Sequence, residues 1–160
     1  MSQTTGQTPT ASAPLSDVSR LLLIEEIRRL KARYLYLLDT QQWDDLAGLF
    51  SPDTRFTLAA FGDPVVFESR AEWISYVQRV LGGGKTVHQV HQGEIDVADE
   101  NTASARWAMS DYVVPSASSG RESFYGHGHY LEQYRRIDGS WQIVELTLTR
   151  LMLNSPGYFG

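Results

Sequence analysis

Cysteine is absent from this chain of 160 residues. Its absence excludes disulfide bonds, a cysteine nucleophile and zinc sites with thiolate ligands, and it fits a reducing cytoplasm, where we expect the protein to reside. Positive charge is also scarce, because 14 lysines and arginines stand against 19 aspartates and glutamates and leave a formal net charge of -5. A nucleic-acid partner would require a basic face, so that class of partner is disfavoured.

Long apolar runs are absent as well. No stretch approaches the roughly 18 residues of a membrane span, so we expect no membrane partner. Residues 1–17 are rich in Ser, Thr, Gln, Pro and Ala and lack the basic and apolar regions of a signal peptide, which predicts a disordered leader. The hydrophobic content of 42% is typical of one globular domain, which we place at residues 18–153, followed by a C-terminal tail at residues 154–160.

Apolar periodicity predicts three helices in the first half of the chain. The first covers residues 21–38, with most of its charged residues, Lys31 included, on the side opposite the apolar stripe. A short helix over residues 43–50 and a strand over residues 55–60 follow. A capping-box pattern at Ser69 then opens a third helix over residues 70–81.

The second half of the chain reads as β-structure. Strands are predicted over four segments, and a hairpin turn joins the last two: residues 86–97, 102–114, 123–137 and 140–153. Helices first and a long sheet last indicate an α+β fold. A curved sheet that wraps around the helices would enclose a pocket between them.

Two predicted strands carry a lone charge within an apolar row of alternate residues. Asp111 continues the row Ala103, Ala105, Trp107, Met109, and Arg150 continues the row Val144, Leu146, Leu148 and is followed by Met152. Burying either charge without a partner would cost several kcal/mol. The pattern leaves three interpretations open: a functional pocket, a structural ion pair between the two, or frayed strand ends in solvent.

Asp39 and His88 are candidates for an acid–base pair. A carboxylate that orients an imidazole makes a general base active near neutral pH. The alternatives are that Asp39 or Thr40 caps the following helix, and that His88 is a hydrogen-bonded core residue. His88 and His91 point to opposite faces of a strand, and His127 and His129 share a face without a third ligand, so we predict no metal site.

The order of elements, together with two sequence motifs, resembles the SnoaL-like group of the nuclear transport factor superfamily. The motifs are Asp39-Thr-Gln-Gln-Trp43-Asp-Asp-Leu46 and Ile137-Asp-Gly-Ser-Trp141, and the resemblance covers roughly Val18 to Leu153. It implies a cone-shaped α+β barrel, in which a curved mixed or antiparallel sheet wraps around N-terminal helices and encloses an apolar pocket.

Within that family the pattern is most similar to the bacterial bile-acid dehydratases and, more distantly, to scytalone dehydratases. Five positions match the bile-acid dehydratase pocket in type and order: Tyr34, Asp39, His88, Asp111 and Arg150. Leu38 stands where scytalone dehydratase has a tyrosine, and Tyr34 stands where the related dehydrochlorinase has a lysine. These two differences disfavour the chemistry of both enzymes in their known forms.

The resemblance implies a lyase without a cofactor that removes water from a hydroxylated aromatic, polyketide or steroid-like molecule. His88 would be the base, Asp39 its orienting partner, and Tyr34 or Arg150 the group that stabilises the enolate, while Asp111 orients Arg150 or holds the substrate. Further substrate contacts are expected from Trp107, Met109, Phe56, His129 and Leu148. We expect a homodimer or homotrimer. The alternatives are a C–C lyase that releases formaldehyde, an isomerase or cyclase, and a non-catalytic binding protein or oxygenase small subunit.

Overall fold

The computed structural model describes residues 14–60 and 62–154. The helices within these ranges are α1 (Asp17–Asp39), α2 (Trp43–Ala47) and α3 (Arg70–Leu81), and a 3₁₀ turn covers Ala117–Ser119. The strands are β1 (Phe50–Ala59), β2 (Val65–Phe67), β3 (Lys85–Val97), β4 (Thr102–Val114), β5 (Phe124–Ile137) and β6 (Ser140–Asn154). None of the described helices combines the length and the apolar character needed to cross a bilayer.

The six strands form one mixed sheet in the order β2-β1-β6-β5-β4-β3. All neighbouring pairs are antiparallel except β1 and β6, which run parallel. The sheet curls around the helices without closing, since β2 and β3 are its two edges. Helix α1 packs against β3 and β6, and α3 packs against β1 and β2. The predicted α+β architecture is confirmed.

Helix α1 begins four residues before its predicted start. Ser16 is the N-cap, and its hydroxyl accepts a hydrogen bond from the backbone N–H of Ser19 at 3.1 Å. The helix therefore includes Asp17, which was assigned to the leader. Residues 1–13 of the predicted leader and residues 155–160 of the predicted tail lie outside the described residues, and Asn154 is the last residue of β6.

Two boundaries in the first half were wrong, and one strand was missed. Strand β1 begins at Phe50 and not at residue 55. Helix α2 ends at Ala47 and not at residue 50, because Phe50 already belongs to β1 and pairs with Ile143 of β6. Strand β2 was missed, since three residues are too few to show alternation. Helix α3 matches its prediction in full, with the Ser69 hydroxyl accepting from the N–H of Glu72 at 3.3 Å.

Strand β6 changes phase twice. Its register with β5 shifts at Val144 and again at Leu151, which marks a bulge at each residue. The buried row is therefore Ile143, Leu146, Leu148 and Arg150, and the predicted members Val144 and Met152 do not belong to it. Met152 is 56% exposed.

Candidate active site

A cavity of about 110 Å³ lies between the end of α1, helix α3 and the inner face of the sheet. Its wall is largely apolar, with a few convergent polar groups. The lining residues are Tyr34, Leu38, Leu58, Trp73, Tyr76, Val77, Val80, Leu81, His88, Asp111, Val113, Phe124, Tyr130, Leu148 and Arg150. An apolar cavity with a small set of polar groups is the usual form of a small-molecule site.

Asp39 and His88 meet at one end of this cavity. The Nδ1 of His88 lies 2.6 Å from Oδ1 of Asp39, and that oxygen also accepts from the Thr86 hydroxyl at 2.8 Å. The other carboxylate oxygen accepts from the backbone N–H of His88 at 2.8 Å. The geometry fits an imidazole that carries its proton on Nδ1 and leaves Nε2 free to accept. Helix α2 has Gln42 as its N-cap and uses no side-chain cap, so Asp39 does not cap it.

Gln41 connects the end of α1, which carries Asp39, to the loop before β3, the strand that carries His88. Its Nε2 donates to the carbonyl oxygens of Gly84 at 2.9 Å and Leu81 at 3.3 Å, and its Oε1 accepts from the N–H of Gly83 at 3.1 Å. Gln41 has a φ of 57°, which is uncommon outside glycine and costs on the order of 1 kcal/mol. The strain is offset by three hydrogen bonds that tie the end of α1 to the loop before β3.

Asp111 and Arg150 form a bidentate ion pair beside His88. Nη1 and Nη2 of Arg150 donate to Oδ1 and Oδ2 of Asp111 at 2.8 and 2.5 Å. The pair lies over Gly126 of β5, where an added Cβ would stand 2.3 Å from Nη1 of Arg150. Asp111 is the cross-strand partner of His88, and its Oδ2 lies 3.9 Å from Nε2 of the imidazole. Both oxygens of Asp111 are engaged by Arg150, so the carboxylate fixes the orientation of the guanidinium.

Two buried tyrosines face the same cavity. The rings of Tyr34 and Tyr130 pack edge to face with centroids 6.0 Å apart. Burial raises the pKa of Tyr34 well above its ordinary value, and nearby Tyr130 and Glu132 raise it further. Burial also raises the pKa of Tyr130, and the Asp111 carboxylate adds to the effect. Both phenols therefore stay protonated and act as hydrogen-bond donors at neutral pH.

A second buried ion pair lies behind the tyrosines. Lys31 Nζ is 2.5 Å from Oε1 of Glu132, and the two side chains are 1% and 0% exposed. Burial lowers the pKa of Lys31 to about 8, although the Glu132 carboxylate opposes the shift. The prediction that placed Lys31 on the polar side of α1 is wrong, because it lies one turn after Ile27 on the buried stripe.

The structure brings the five predicted catalytic residues together. Tyr34, His88, Asp111 and Arg150 line the cavity, and Asp39 contacts His88 from behind. These five residues come from α1, β3, β4 and β6, which are separated in the sequence.

The five predicted substrate contacts divide into three groups. Leu148 lines the cavity, whereas Met109 lies below Arg150, with its sulfur 3.6 Å from Nη1. Phe56 stacks behind Trp73, with the two ring centroids 4.8 Å apart. Trp107 lies deeper in the interior, where its Nε1 donates to the Tyr134 hydroxyl at 3.1 Å. His129 is on the opposite face of β5, between Ala108 and Thr149, and does not reach the cavity.

Sequence reasoning missed Tyr130 and the wall formed by α3. Tyr130 follows Gly126 and Gly128 on the inner face of β5, and two glycines at alternate positions of a strand indicate a close approach by other groups. That signal was available. The wall residues of α3, such as Trp73 and Tyr76, give no comparable signal, because an apolar helix face looks the same whether it contacts a core or a cavity.

Across residues 14–60 and 62–154, no three His, Asp or Glu side chains are grouped so that they could hold a metal ion. A larger groove of about 550 Å³ crosses the sheet near Ser51, Asp96 and Glu145. None of the five predicted catalytic residues lines that groove, so the smaller cavity is the candidate active site.

The chain is similar to known proteins over most of its length. The family model of the SnoaL-like domain matches residues 19–147. The protein named probable cyclase FGR4, from Gibberella zeae, is 23% identical over 133 residues, which cover 78% of this chain and 89% of that protein.

Solved structures resemble the whole fold. A scytalone dehydratase-like protein from Novosphingobium aromaticivorans superimposes with a TM-score of 0.73 at 20% identity, covering 87% of this chain and 91% of that one. The hexachlorocyclohexane dehydrochlorinase LinA-type3 from Novosphingobium barchaimii gives a TM-score of 0.72 at 18% identity, covering 88% and 94%. At these identities the likeness establishes a shared fold and leaves the reaction to be argued from the site.

Proposed function

This chain belongs to the SnoaL-like domain family, and on that premise we propose that it is a lyase that removes water from a hydroxylated aromatic, polyketide or steroid-like ketone with its own acid–base residues. One observation carries the proposal: the His88 imidazole is fixed on Asp39 through Nδ1, and it lines a cavity that also holds a guanidinium and two phenols. A base and charge-stabilising donors around one cavity are what proton abstraction next to a carbonyl requires.

The first step is removal of a proton from the carbon next to the substrate carbonyl. Nε2 of His88 accepts this proton, and the electron pair moves to the carbonyl oxygen to form an enolate. Asp39 stabilises the imidazolium through the 2.6 Å contact with Nδ1. The Thr86 hydroxyl and a backbone N–H also bind Asp39, so the carboxylate keeps its position as the charge on His88 changes.

The enolate oxygen requires hydrogen-bond donors that are in place before the charge develops. Tyr34 and Arg150 both line the cavity and supply such donors. Arg150 is fixed by Asp111, and Tyr34 is fixed by packing against Phe50 and Tyr130. A single well-placed donor of this kind contributes roughly 10²- to 10³-fold to the rate.

The second step is loss of the hydroxyl group on the neighbouring carbon. The enolate electrons re-form the carbonyl, a carbon–carbon double bond forms, and the carbon–oxygen bond breaks. The proton on His88 Nε2 passes to the departing oxygen, either directly or by way of Tyr34, which gives up its own proton and takes the one from His88. The oxygen leaves as water. The base then returns to its starting state, and no oxidant or reductant is consumed.

The cavity is smaller than the roughly 300–1,000 Å³ typical of ligand sites. Its volume of about 110 Å³ accommodates the reacting part of a substrate, and a larger ligand requires lining side chains to move. A homodimer or homotrimer remains our prediction for the assembly, and sedimentation of the purified chain will test it.

Ring closure is the second candidate reaction, and it is favoured by the likeness to the probable cyclase of Gibberella zeae. The same base and donors would form an enolate, which then attacks a second carbonyl within one substrate. The two reactions differ in their products, because elimination releases water directly whereas ring closure forms a new carbon–carbon bond.

The test is a dehydration assay on β-hydroxyketones, beginning with 3-hydroxy-1-tetralone, which yields 1-naphthol after loss of water. We expect turnover by the wild type and a loss of at least about 10²-fold in His88→Ala. His91→Ala is the matched control, because His91 is an exposed histidine on the same strand. Near-wild-type turnover by His88→Ala on an accepted substrate would contradict the proposed base.

A further inference from the structure

The Lys31–Glu132 pair has no role in the steps described above. It joins α1 to β5 deep in the interior, and both side chains are almost fully buried. Replacing a buried ion pair with apolar residues of similar volume is often neutral or stabilising, so a contribution to stability is a weak explanation for its presence. Its position relative to the cavity offers a better one.

The pair stands directly behind the two cavity tyrosines. Lys31 Nζ lies 3.5 Å from the ring centroid of Tyr130 and 4.4 Å from that of Tyr34. Lys31 is three residues before Tyr34 on α1, and Glu132 is two residues after Tyr130 on β5. The ion pair therefore links the two elements that carry the phenols, and it places a cation against both rings.

The remaining atoms of the network fix that cation. The second oxygen of Glu132 accepts from the Tyr134 hydroxyl, which in turn accepts from Nε1 of Trp107 at 3.1 Å. A cation held over a ring face is attracted by the ring quadrupole, so a fixed Lys31 also fixes the position of the two rings. A phenol whose ring cannot shift keeps its hydroxyl group aimed at one point in the cavity.

We propose that Lys31 and Glu132 are positioning residues that hold Tyr34 and Tyr130 as a paired donor for the enolate oxygen, and that Tyr130 is a further residue in contact with the substrate. The proposal rests on the proposed function, since the enolate is the product of the His88 step. Other charged groups also lie near the two phenols. Asp111 and Arg150 are near Tyr130, and Asp39 is near Tyr34. They stay in place when Lys31 and Glu132 are replaced.

Binding of 4-nitrophenol tests the proposal without turnover, because the probe changes its absorbance when it ionises. The variant is Lys31→Met/Glu132→Gln, which removes both charges and leaves an acceptor for Tyr134. We expect wild type to bind the nitrophenolate more tightly than the neutral phenol, and the variant to lose about tenfold of this preference. The turnover number on 3-hydroxy-1-tetralone should fall about tenfold with an unchanged KM.

Two further variants separate positioning from structure. Lys31→Arg keeps the cation and should retain most of the preference for the anion. Glu94→Gln/Arg106→Met removes an exposed ion pair from the same sheet and should change nothing. Circular dichroism and thermal unfolding establish that each variant is folded.

The outcomes are distinct from those of the dehydration assay. Equal anion preference in wild type and in Lys31→Met/Glu132→Gln would overturn the proposal, as would a wild type that binds the neutral phenol better than the anion. A failure of the His88 mechanism would appear only as turnover by His88→Ala and would leave the nitrophenol result unchanged.

Discussion

Two buried ion pairs among the residues that the structure describes have opposite relations to the cavity. Asp111–Arg150 lies at the cavity wall, with the Arg150 side chain 10% exposed, whereas Lys31–Glu132 is sealed behind two aromatic rings. Both bridge separate elements, and both partners of each are hydrogen-bonded. On our proposals the two pairs act in different ways: Asp111–Arg150 presents a donor to a ligand, and Lys31–Glu132 acts through the side chains in front of it.

The largest effect is expected when the sealed pair loses one partner. Lys31→Met leaves the Glu132 carboxylate buried without its cation and should lower the free energy of unfolding by about 3–5 kcal/mol. Urea unfolding measures this value. Lys31→Met/Glu132→Gln is the comparison, since it leaves no unpaired charge and should recover most of the loss. If both variants were equally unstable, the ion pair would matter through its packing.

For the Asp111–Arg150 pair we expect the opposite pattern, a small effect on stability and a large effect on turnover. Asp111→Asn/Arg150→Met removes both charges, so stability should change little, but the enolate loses a fixed donor. We expect a 10²- to 10³-fold loss of turnover on 3-hydroxy-1-tetralone, equivalent to about 2.7–4 kcal/mol. Parallel assays of this variant and the sealed-pair variant rank the two contributions. A smaller loss here than in Lys31→Met/Glu132→Gln would reverse the roles assigned to the pairs.

A third effect, which is small for any one side chain, is a loss of stability at high pH. Burial raises the pKa values of Tyr34, Tyr130 and Tyr134 above their ordinary value of 10.0, and the Glu132 carboxylate adds to each shift. Above pH 10 the unfolded chain releases these protons while the folded chain keeps them, so stability falls as pH rises. The slope is about 1.4 kcal/mol per pH unit for each tyrosine.

Lys31 acts with the opposite sign in an adjoining range. Its pKa is about 8 in the fold against 10.5 in the unfolded chain, so the unfolded state holds more protons between these values and stability rises with pH. The tyrosine effect should therefore dominate above pH 10.5. Tyrosinate absorbance provides the measurement, and three of the eight tyrosines should ionise only on unfolding. Ionisation of all eight in the native state near pH 10 would contradict the burial argument.

Much of the fold was predictable because the periodicity of several elements is undisturbed. Helix α3 and strand β4 match their predicted bounds, and alternation along β4 identified Asp111 as an anomalous charge. The same reasoning succeeded for Arg150 and failed for Val144 and Met152. Two bulges shift the phase of β6, and a bulge depends on pairing with a neighbouring strand, which local sequence does not encode.

The candidate site was predictable only in part. A lone charge in an apolar strand is easy to recognise. Lys31 was instead grouped with the other charged residues of α1, although its spacing from Ile27 assigns it to the buried stripe. Tyr130 is a residue type that occurs equally in cores and in sites. Its significance depends on which side chains face it from α1, and that contact forms only in the folded chain.

The side chain of Gln41 joins the wall of the cavity to the strand that carries the imidazole. One amide holds the last residue of the α3 wall at Leu81 and also the loop that leads into Thr86 and His88. Because one amide bonds to both, a displacement of the end of α3 would break some of these bonds and would also disturb the junction at which Asp39 meets the imidazole. One side chain outside the cavity lining therefore ties the position of the Asp39–His88 contact to that of the α3 wall.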